Sequence, residues 1–151
     1  MKIIGIGDLV LDIYMNESEI KGITGGMSFA NVIYNITRLL EDYNSSYNIN
    51  NEDKKIDFET IIYGVCGNDI PGDIIIKELQ SGNINTSYIS RKDNKKTREF
   101  YMYLDENDNF LTSKKKNYIT KKESWYDSSL LKGDIPEELL SKDNIYVFRK
   151  C

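Results

Sequence analysis

Apolar residues fall along this chain in short blocks, and their spacing alternates between that of strands and that of helices. Lys2 to Tyr14 is dense in isoleucine, leucine and valine, as expected of a strand buried on both faces of a parallel or mixed sheet. Residues 15–24 are polar, contain glycine and read as a loop. From Phe29 the apolar positions Phe29, Val32, Ile33, Ile36, Leu39 and Leu40 recur at helical spacing. Ser28 stands where its hydroxyl could cap the first turn. The stretch 41–57, EDYNSSYNINNEDKKID, has little apolar content and reads as a polar surface insertion. Sheet-like sequence resumes immediately after it, so no domain boundary is placed there.

Phe58 to Val65 reads as a second buried strand. GNDIPGDIIIKELQSGNI then predicts a loop, a helix from about Pro71 to Gln80 and a stop at Gly82. Proline is tolerated in a first helical turn, and glycine suits a left-handed helix end. In TREFYMYLDENDNFLTSK, Phe100, Met102 and Leu104 alternate with Tyr101 and Tyr103 at the period of a strand. Asp105 to Asn109 supplies turn chemistry before Phe110 and Leu111, which predicts a hairpin over 97–113 with two partly apolar faces. A short helix is expected over 134–141, opened by Asp134 with Pro136 in its first turn. Asn144 to Phe148 reads as a strand, with the chain ending three residues later at Cys151. The order strand, helix, strand, helix, hairpin, helix, strand is α/β with an antiparallel excursion. A stop just after a central-looking strand predicts an exposed sheet edge.

With 151 residues, 40% hydrophobic and 29% charged, the chain suits one soluble globular core. A net charge of -4 argues against a nucleic-acid surface, which needs concentrated positive charge. Lys114 to Lys116 is the one basic cluster and reads as a solvated loop. Asp8 and Asp12 interrupt the first apolar run, so neither a signal-peptide core nor a membrane segment is expected. Cys66 and Cys151 are too few for a disulfide framework and read as reduced cytoplasmic thiols. The chain has no histidine, which removes Ser-His-Asp and Cys-His chemistry and the commonest nitrogen ligand of zinc. Carboxylates, lysines and tyrosines remain for acid–base work.

Two nucleotide motifs are approached but not formed. GIGDLV, from Gly5 to Val10, lacks the third glycine of a dinucleotide turn and runs on into apolar sequence. Gly67 to Gly72 has the glycine spacing of a phosphate loop but continues with Asp73 where lysine is required. Asp8 and Asp12 could end a strand in solvent or cap a loop. Alternatively they stand in the ligand crevice at the carboxyl end of a parallel strand, where a carboxylate accepts strong hydrogen bonds from two sugar hydroxyls. Gly25 and Gly26 before a helix give close backbone access and free amides. Asn31, on the first turn, could contact a bound hydroxyl or act as a secondary cap.

GDLVLD, GGMSFANVIYNITRL, GVCGNDIPGDIIIKELQSGNINTSYI and the KTREFYMYLDENDNFL strands together resemble the N-terminal half of the ribokinase/PfkB carbohydrate kinase family. The resemblance covers the whole chain, 1–151. It implies a single, partial ribokinase-like (Rossmann-like) α/β domain with a small β lid at 97–113, the C-terminal half of the fold being absent. By this resemblance Asp12 holds sugar hydroxyls, Gly25 and Gly26 line the sugar, and Asn31 contacts it from the helix. Asp8 is a second candidate carboxylate beside Asp12. Arg98, Tyr101 and Tyr103 would close over the substrate and exclude water. The chain departs from the pattern with one extra residue between Gly26 and Asn31. Phe29 and Ile33 stand where small residues are usual, and Leu40 where glycine is common. A remodelled helix start or a differently shaped pocket is therefore expected.

Members of the family are about twice as long, and their second half carries a G-A-G-D motif that supplies the catalytic base and a phosphate-neutralising helix N-terminus. No such motif occurs here. The resemblance therefore implies a sugar-binding portion with no catalytic residue and no cofactor or metal of its own, ATP and Mg belonging to a complete member. Half of a phosphoryl-transfer site should be close to inactive. The alternatives are a non-catalytic sugar-binding or regulatory protein, and a module that forms a homodimer through the lid. A sugar or sugar derivative is the expected partner, with no nucleic acid and no membrane, in the cytoplasm.

Overall fold

The computed structural model describes residues 1–17, 19–26, 28–47, 54–111 and 135–148. Two sheets divide the strands. In the larger, β1 (Lys2–Asp8) lies between β4 (Glu59–Gly67) and β7 (Ile145–Phe148), and β5 (Ile89–Lys92) extends it beyond β4. All three pairings are parallel. In the smaller sheet β2 (Val10–Asn16) is central, antiparallel to β3 (Glu19–Gly26) and parallel to β6 (Arg98–Leu104). The helices are α1 (Ser28–Tyr47) and α2 (Ile70–Ser81). This is the mixed α/β architecture that the order of apolar blocks predicts.

The first apolar block is two strands rather than one. Leu9 is fully buried and donates its N–H to Val65 O (3.1 Å). The chain crosses from one sheet to the other at this residue. Both strands are buried, so hydrophobicity runs through the crossing unbroken. Residues 15–24, expected as a loop, complete β2 and form most of β3. β3 is largely exposed, which explains its polar composition.

The glycines of β1 serve packing. A Cβ on Gly7 would stand 2.6 Å from the Phe29 ring, and one on Gly5 would stand 2.7 Å from the Ile33 side chain. Phe29 and Ile33, the two large residues near the start of α1, are both buried and occupy the space those glycines leave. GIGDLV is thus a seat for a helix, not a phosphate turn. On the other face of β1, Ile4 and Ile6 pack with Ile61 and Leu139.

α1 continues to Tyr47, so the polar stretch 41–57 begins as helix. Asn44 closes it: its amide donates to Ile56 O and its carbonyl accepts from Ile56 N, both at 2.9 Å. Of the apolar positions expected inward, Val32 and Leu39 face solvent (42% and 67% exposed). α2 begins with Asp69 as N-cap and Pro71 in its first turn. Gly82 ends it at φ -91, and Asn83 takes the left-handed conformation at φ 57. Gly82 is required for a different reason, since a Cβ there would collide with the Tyr34 ring. The helix expected over 134–141 is a single 3-10 turn, Glu137–Leu139, preceded by Pro136. Asp134, Lys114 to Lys116 and Cys151 lie outside the described residues. After β6 the chain turns at Asp105, whose carboxylate accepts from Asn107 N and Asn109 N (2.8 and 2.9 Å), and comes back beside it to Leu111. Residues 112–113 lie outside the description.

Candidate functional site

Asp12 sits in mid-strand on β2, in register with Thr24 of β3 and Phe100 of β6. Alternate residues of a strand share a face, so Asp12 shares its face with Val10 and Tyr14, and with Arg98 and Met102 from β6. Gly26 makes room for it: a Cβ on Gly26 would fall onto the Asp12 carboxyl group. Any larger residue would push the carboxylate aside. Among the described residues no hydrogen bond reaches that carboxylate. Burial, and secondarily the negative charge of Glu78, raise its pKa to about 6. The same two carboxylates act on Tyr14, whose pKa is raised by burial and then by Asp12 and Glu78.

Glu78, on α2, is the residue that inspection of the sequence misses. It accepts the Thr24 hydroxyl at Oε1 (2.6 Å) and the Gly25 N–H at Oε2. These bonds hold the end of β3 against the helix. The available signal was a carboxylate flanked by Ile74, Ile75 and Leu79 on the inward stripe of α2, where a solvated glutamate would not be expected.

The predicted residues fall into separate groups. Asp12 and Gly26 are in contact, as described. Asp8, the last residue of β1, is paired with Arg98 at 3.2 Å, and both are largely withdrawn from solvent. Gly25 and Asn31 line a cavity of about 280 Å³ between β3, α1 and α2, together with Glu78. Gly25 faces away from Asp12, since a Cβ there would meet Glu78 and Ile75. Tyr101 and Tyr103 lie on the face of β6 opposite to Asp12. Tyr101 packs against the core that contains Leu11 and Ile13, and its hydroxyl donates to Glu99 (2.7 Å). That bond and burial push its pKa up to about 12. The β6 residues that share the face of Asp12 are instead Arg98, Phe100 and Met102.

The start of β6 is clasped to the start of α2. Asp69 accepts from Thr97 N (2.8 Å), Thr97 Oγ1 (2.5 Å) and Gly72 N (3.1 Å), while Thr97 Oγ1 accepts from Gly67 N (2.9 Å). Burial tends to raise the Asp69 pKa, but these donors outweigh it and leave it lowered. The clasp also disposes of the phosphate-loop resemblance of Gly67 to Gly72. The amides of Gly67 and Gly72 are already used, and the Asp69 carboxylate stands where an anion would sit. Among the described residues no group of three or more Asp, Glu or Cys side chains could hold a metal ion. Cys66 is a free, buried thiol whose pKa is pushed up to about 11, chiefly by burial. No described helix is long and apolar enough to cross a membrane.

Comparison with solved structures shows that the fold is ribokinase-like. A sugar kinase from Pyrococcus horikoshii, solved in complex with ATP, matches 82% of this chain at 19% identity with a TM-score of 0.57. The fructokinase of Halothermothrix orenii matches 68% at 18% identity (TM-score 0.51). The nucleoside kinase of Methanocaldococcus jannaschii, an archaeal member of the ribokinase family, matches 73% at 17% identity (TM-score 0.50). The matched region is only 35%, 34% and 35% of those chains respectively, so this chain corresponds to about a third of each. No protein-family model and no curated protein matches the sequence.

Proposed function

We propose that this chain is the sugar-binding portion of a PfkB-type carbohydrate kinase, in which the complete protein transfers a phosphoryl group from ATP, with Mg, to a sugar hydroxyl. The observation that carries this is the Asp12 carboxylate. It is half-buried, sits over a glycine that leaves space for it, and accepts no hydrogen bond from the described residues. A carboxylate withdrawn from water without donors is costly, and sugar hydroxyls are suitable donors for it. Arg98, Phe100 and Met102 of β6 share its face and would cover a sugar held there. Gly26 is retained from the predicted set for the same reason.

Calorimetric titration of the chain with simple sugars and sugar acids, without nucleotide, tests this directly. Binding is expected, and Asp12→Asn should weaken it by about 1–3 kcal/mol, the scale of a hydrogen bond to a charged group. Affinity should also fall as pH drops through about 6, because Asp12 then takes up a proton. Unchanged affinity in Asp12→Asn would remove Asp12 from the site. A folded sample that binds no sugar would remove the function.

A second reading, a homodimer formed through the small sheet, has one observation in its favour. Ile20, Ile23 and Phe110 are 58%, 44% and 60% exposed on or beside β3 and β6. Sedimentation should then show concentration-dependent size that is lost on Ile23→Lys. A size independent of concentration would dismiss it.

A further inference from the structure

A glutamate of α2 reaches the strand that borders Asp12. Thr24 stands opposite Asp12 in the β2–β3 pairing, and side chains directly opposite across two strands lie side by side on one face. The Thr24 hydroxyl donates to Glu78 Oε1 (2.6 Å) and the Gly25 N–H donates to Oε2. β3 is an edge strand of the small sheet, so among the described residues its outer N–H groups have no partner strand, and Glu78 takes that of Gly25. One carboxylate therefore grips the two residues that precede Gly26, whose missing side chain makes room for Asp12. The helix that carries it is seated by buried Ile75 and Leu79 and capped by Asp69. Among the described residues, the other ionisable groups near Asp12 are Tyr14 on β2 and Arg98 on β6, which is paired with Asp8 of β1. β3 places neutral Thr24 and Gly26 there, and the first turn of α1 carries no charge. The negative charge of Glu78 acts on both Asp12 and Tyr14.

We propose that Glu78 is a positioning residue for the Asp12 site: it clamps the end of β3 through Thr24 and Gly25, which keeps Gly26 against the Asp12 carboxyl group, and it sets a second negative charge nearby. The inference rests on Asp12 as the carboxylate that receives the sugar. Its two parts have opposite consequences for binding. The clamp holds the space over Gly26 in one shape, so less order has to be imposed when a sugar arrives. The charge keeps Asp12 protonated to a higher pH than burial alone would, and a protonated carboxyl group is a weaker acceptor. Glu78 thus favours binding at pH 8 and restricts it near pH 6. Substitution separates the two parts. A glutamine there can still accept the Gly25 N–H at its carbonyl oxygen and donate its amide to the Thr24 hydroxyl, but it carries no charge. An alanine keeps neither.

The test is an NMR titration of the full chain and its Glu78→Gln and Glu78→Ala variants between pH 4 and 8, with calorimetry on D-ribose and D-fructose. It follows the Asp12 carboxyl carbon and the exchange rate of the Gly25 amide. The Asp12 midpoint, about 6 in the unaltered chain, should fall by about half a pH unit or more in both variants. It should stay above 3.8, because burial is the larger cause. Gly25 exchange should quicken about tenfold or more in Glu78→Ala and little in Glu78→Gln. Sugar affinity at pH 8 should follow the clamp, about tenfold weaker in Glu78→Ala and within about threefold of the unaltered chain in Glu78→Gln. The pH at which affinity falls should follow the charge and move down in both. The inference is overturned if the Asp12 midpoint is unmoved in Glu78→Gln, or if Gly25 exchanges no faster in Glu78→Ala. Should Glu78→Ala not fold, Thr24→Val takes its place: it removes one bond and keeps the charge, so Gly25 exchange must quicken while the Asp12 midpoint holds. If neither sugar binds the unaltered chain, the sugar reading fails on its own. A midpoint lowered in Glu78→Gln, with Gly25 loosened in Glu78→Ala, would still uphold the action of Glu78 on Asp12 and β3.

Discussion

Asp69 stands beside the start of β6 and Asp12 in the middle of β2, and their surroundings push their carboxyl groups in opposite directions. Asp69 is surrounded by donors: it caps α2, receives the N–H and hydroxyl of Thr97, and its pKa is lowered. Asp12 is half-buried, accepts no hydrogen bond from the described residues and feels the negative charge of Glu78, and its pKa is raised to about 6. The first arrangement stabilises the fold, tying β6 to the turn between β4 and α2. The second opposes it whenever Asp12 is ionised. A fold tolerates such a group where a ligand later supplies what is missing. That contrast distinguishes a structural carboxylate from a candidate binding carboxylate more clearly than sequence position does.

The largest expected effect comes from breaking the satisfied member. Asp69→Ala removes a helix cap and leaves the buried Thr97 N–H and hydroxyl without their acceptor, so a loss of about 2–4 kcal/mol in urea-unfolding stability is expected. A loss below about 0.5 kcal/mol, the level of an ordinary surface change, would mean that the clasp contributes little. Next, Gly26→Ala forces the Asp12 carboxyl group to move and should cost about 1–2 kcal/mol. Combining it with Asp12→Gly should recover much of that loss, whereas simple additivity would show that the two do not compete for space.

Asp12→Asn sharpens the comparison in the opposite sense. It removes an ionised group that burial and Glu78 disfavour, so it should raise stability at pH 7 by about 1 kcal/mol, a figure reduced for the partial exposure of the site. The sign follows from linkage. A folded-state pKa of about 6 against 3.8 means that the native state binds the extra proton between those values, so stability falls as pH rises through that window. The advantage of Asp12→Asn should therefore appear between pH 4 and 6 and be absent below about pH 4, as read from denaturation at each pH. Asp69 has the reverse sign: its contribution is present above its ordinary pKa of 3.8 and is lost as pH falls below it. Asp69→Ala should lose stability at pH 7 and progressively less at pH 3. Parallel pH profiles in the two variants would refute the distinction.

Much of the architecture was legible in the sequence because burial leaves a periodic trace. β1, β4, α2, β6 and β7 lie close to where their apolar patterns predict, and α1 begins at Ser28 as its spacing suggests. The failures share a cause. Lys2 to Tyr14 hides the crossing at Leu9 because both sheets bury the chain there. β3 and β5 are too exposed to carry an apolar signal. The last turns of α1 are polar, and the bonds of the Asn44 side chain to Ile56, 12 positions on, leave no periodic trace.

For the site, the sequence by itself determined which groups are present: carboxylates without histidine, a glycine pair, and a strand with two dissimilar faces. It also determined that phosphate-loop chemistry is lacking, since Asp73 stands where lysine is needed. Tertiary structure alone decided how they are grouped. Gly26 turns to Asp12 and Gly25 to Glu78, because neighbouring residues in a strand face opposite sides. Tyr101 packs on the core, with Tyr103 on the same face, while Phe100 and Met102 share the face of Asp12, because register against β2 fixes the face. Asp8 is held by Arg98, 90 positions away, and Glu78 reaches Gly25 across 53. Charge and hydrogen bonding act through distance in space, and distances of that kind arise only when the chain has folded.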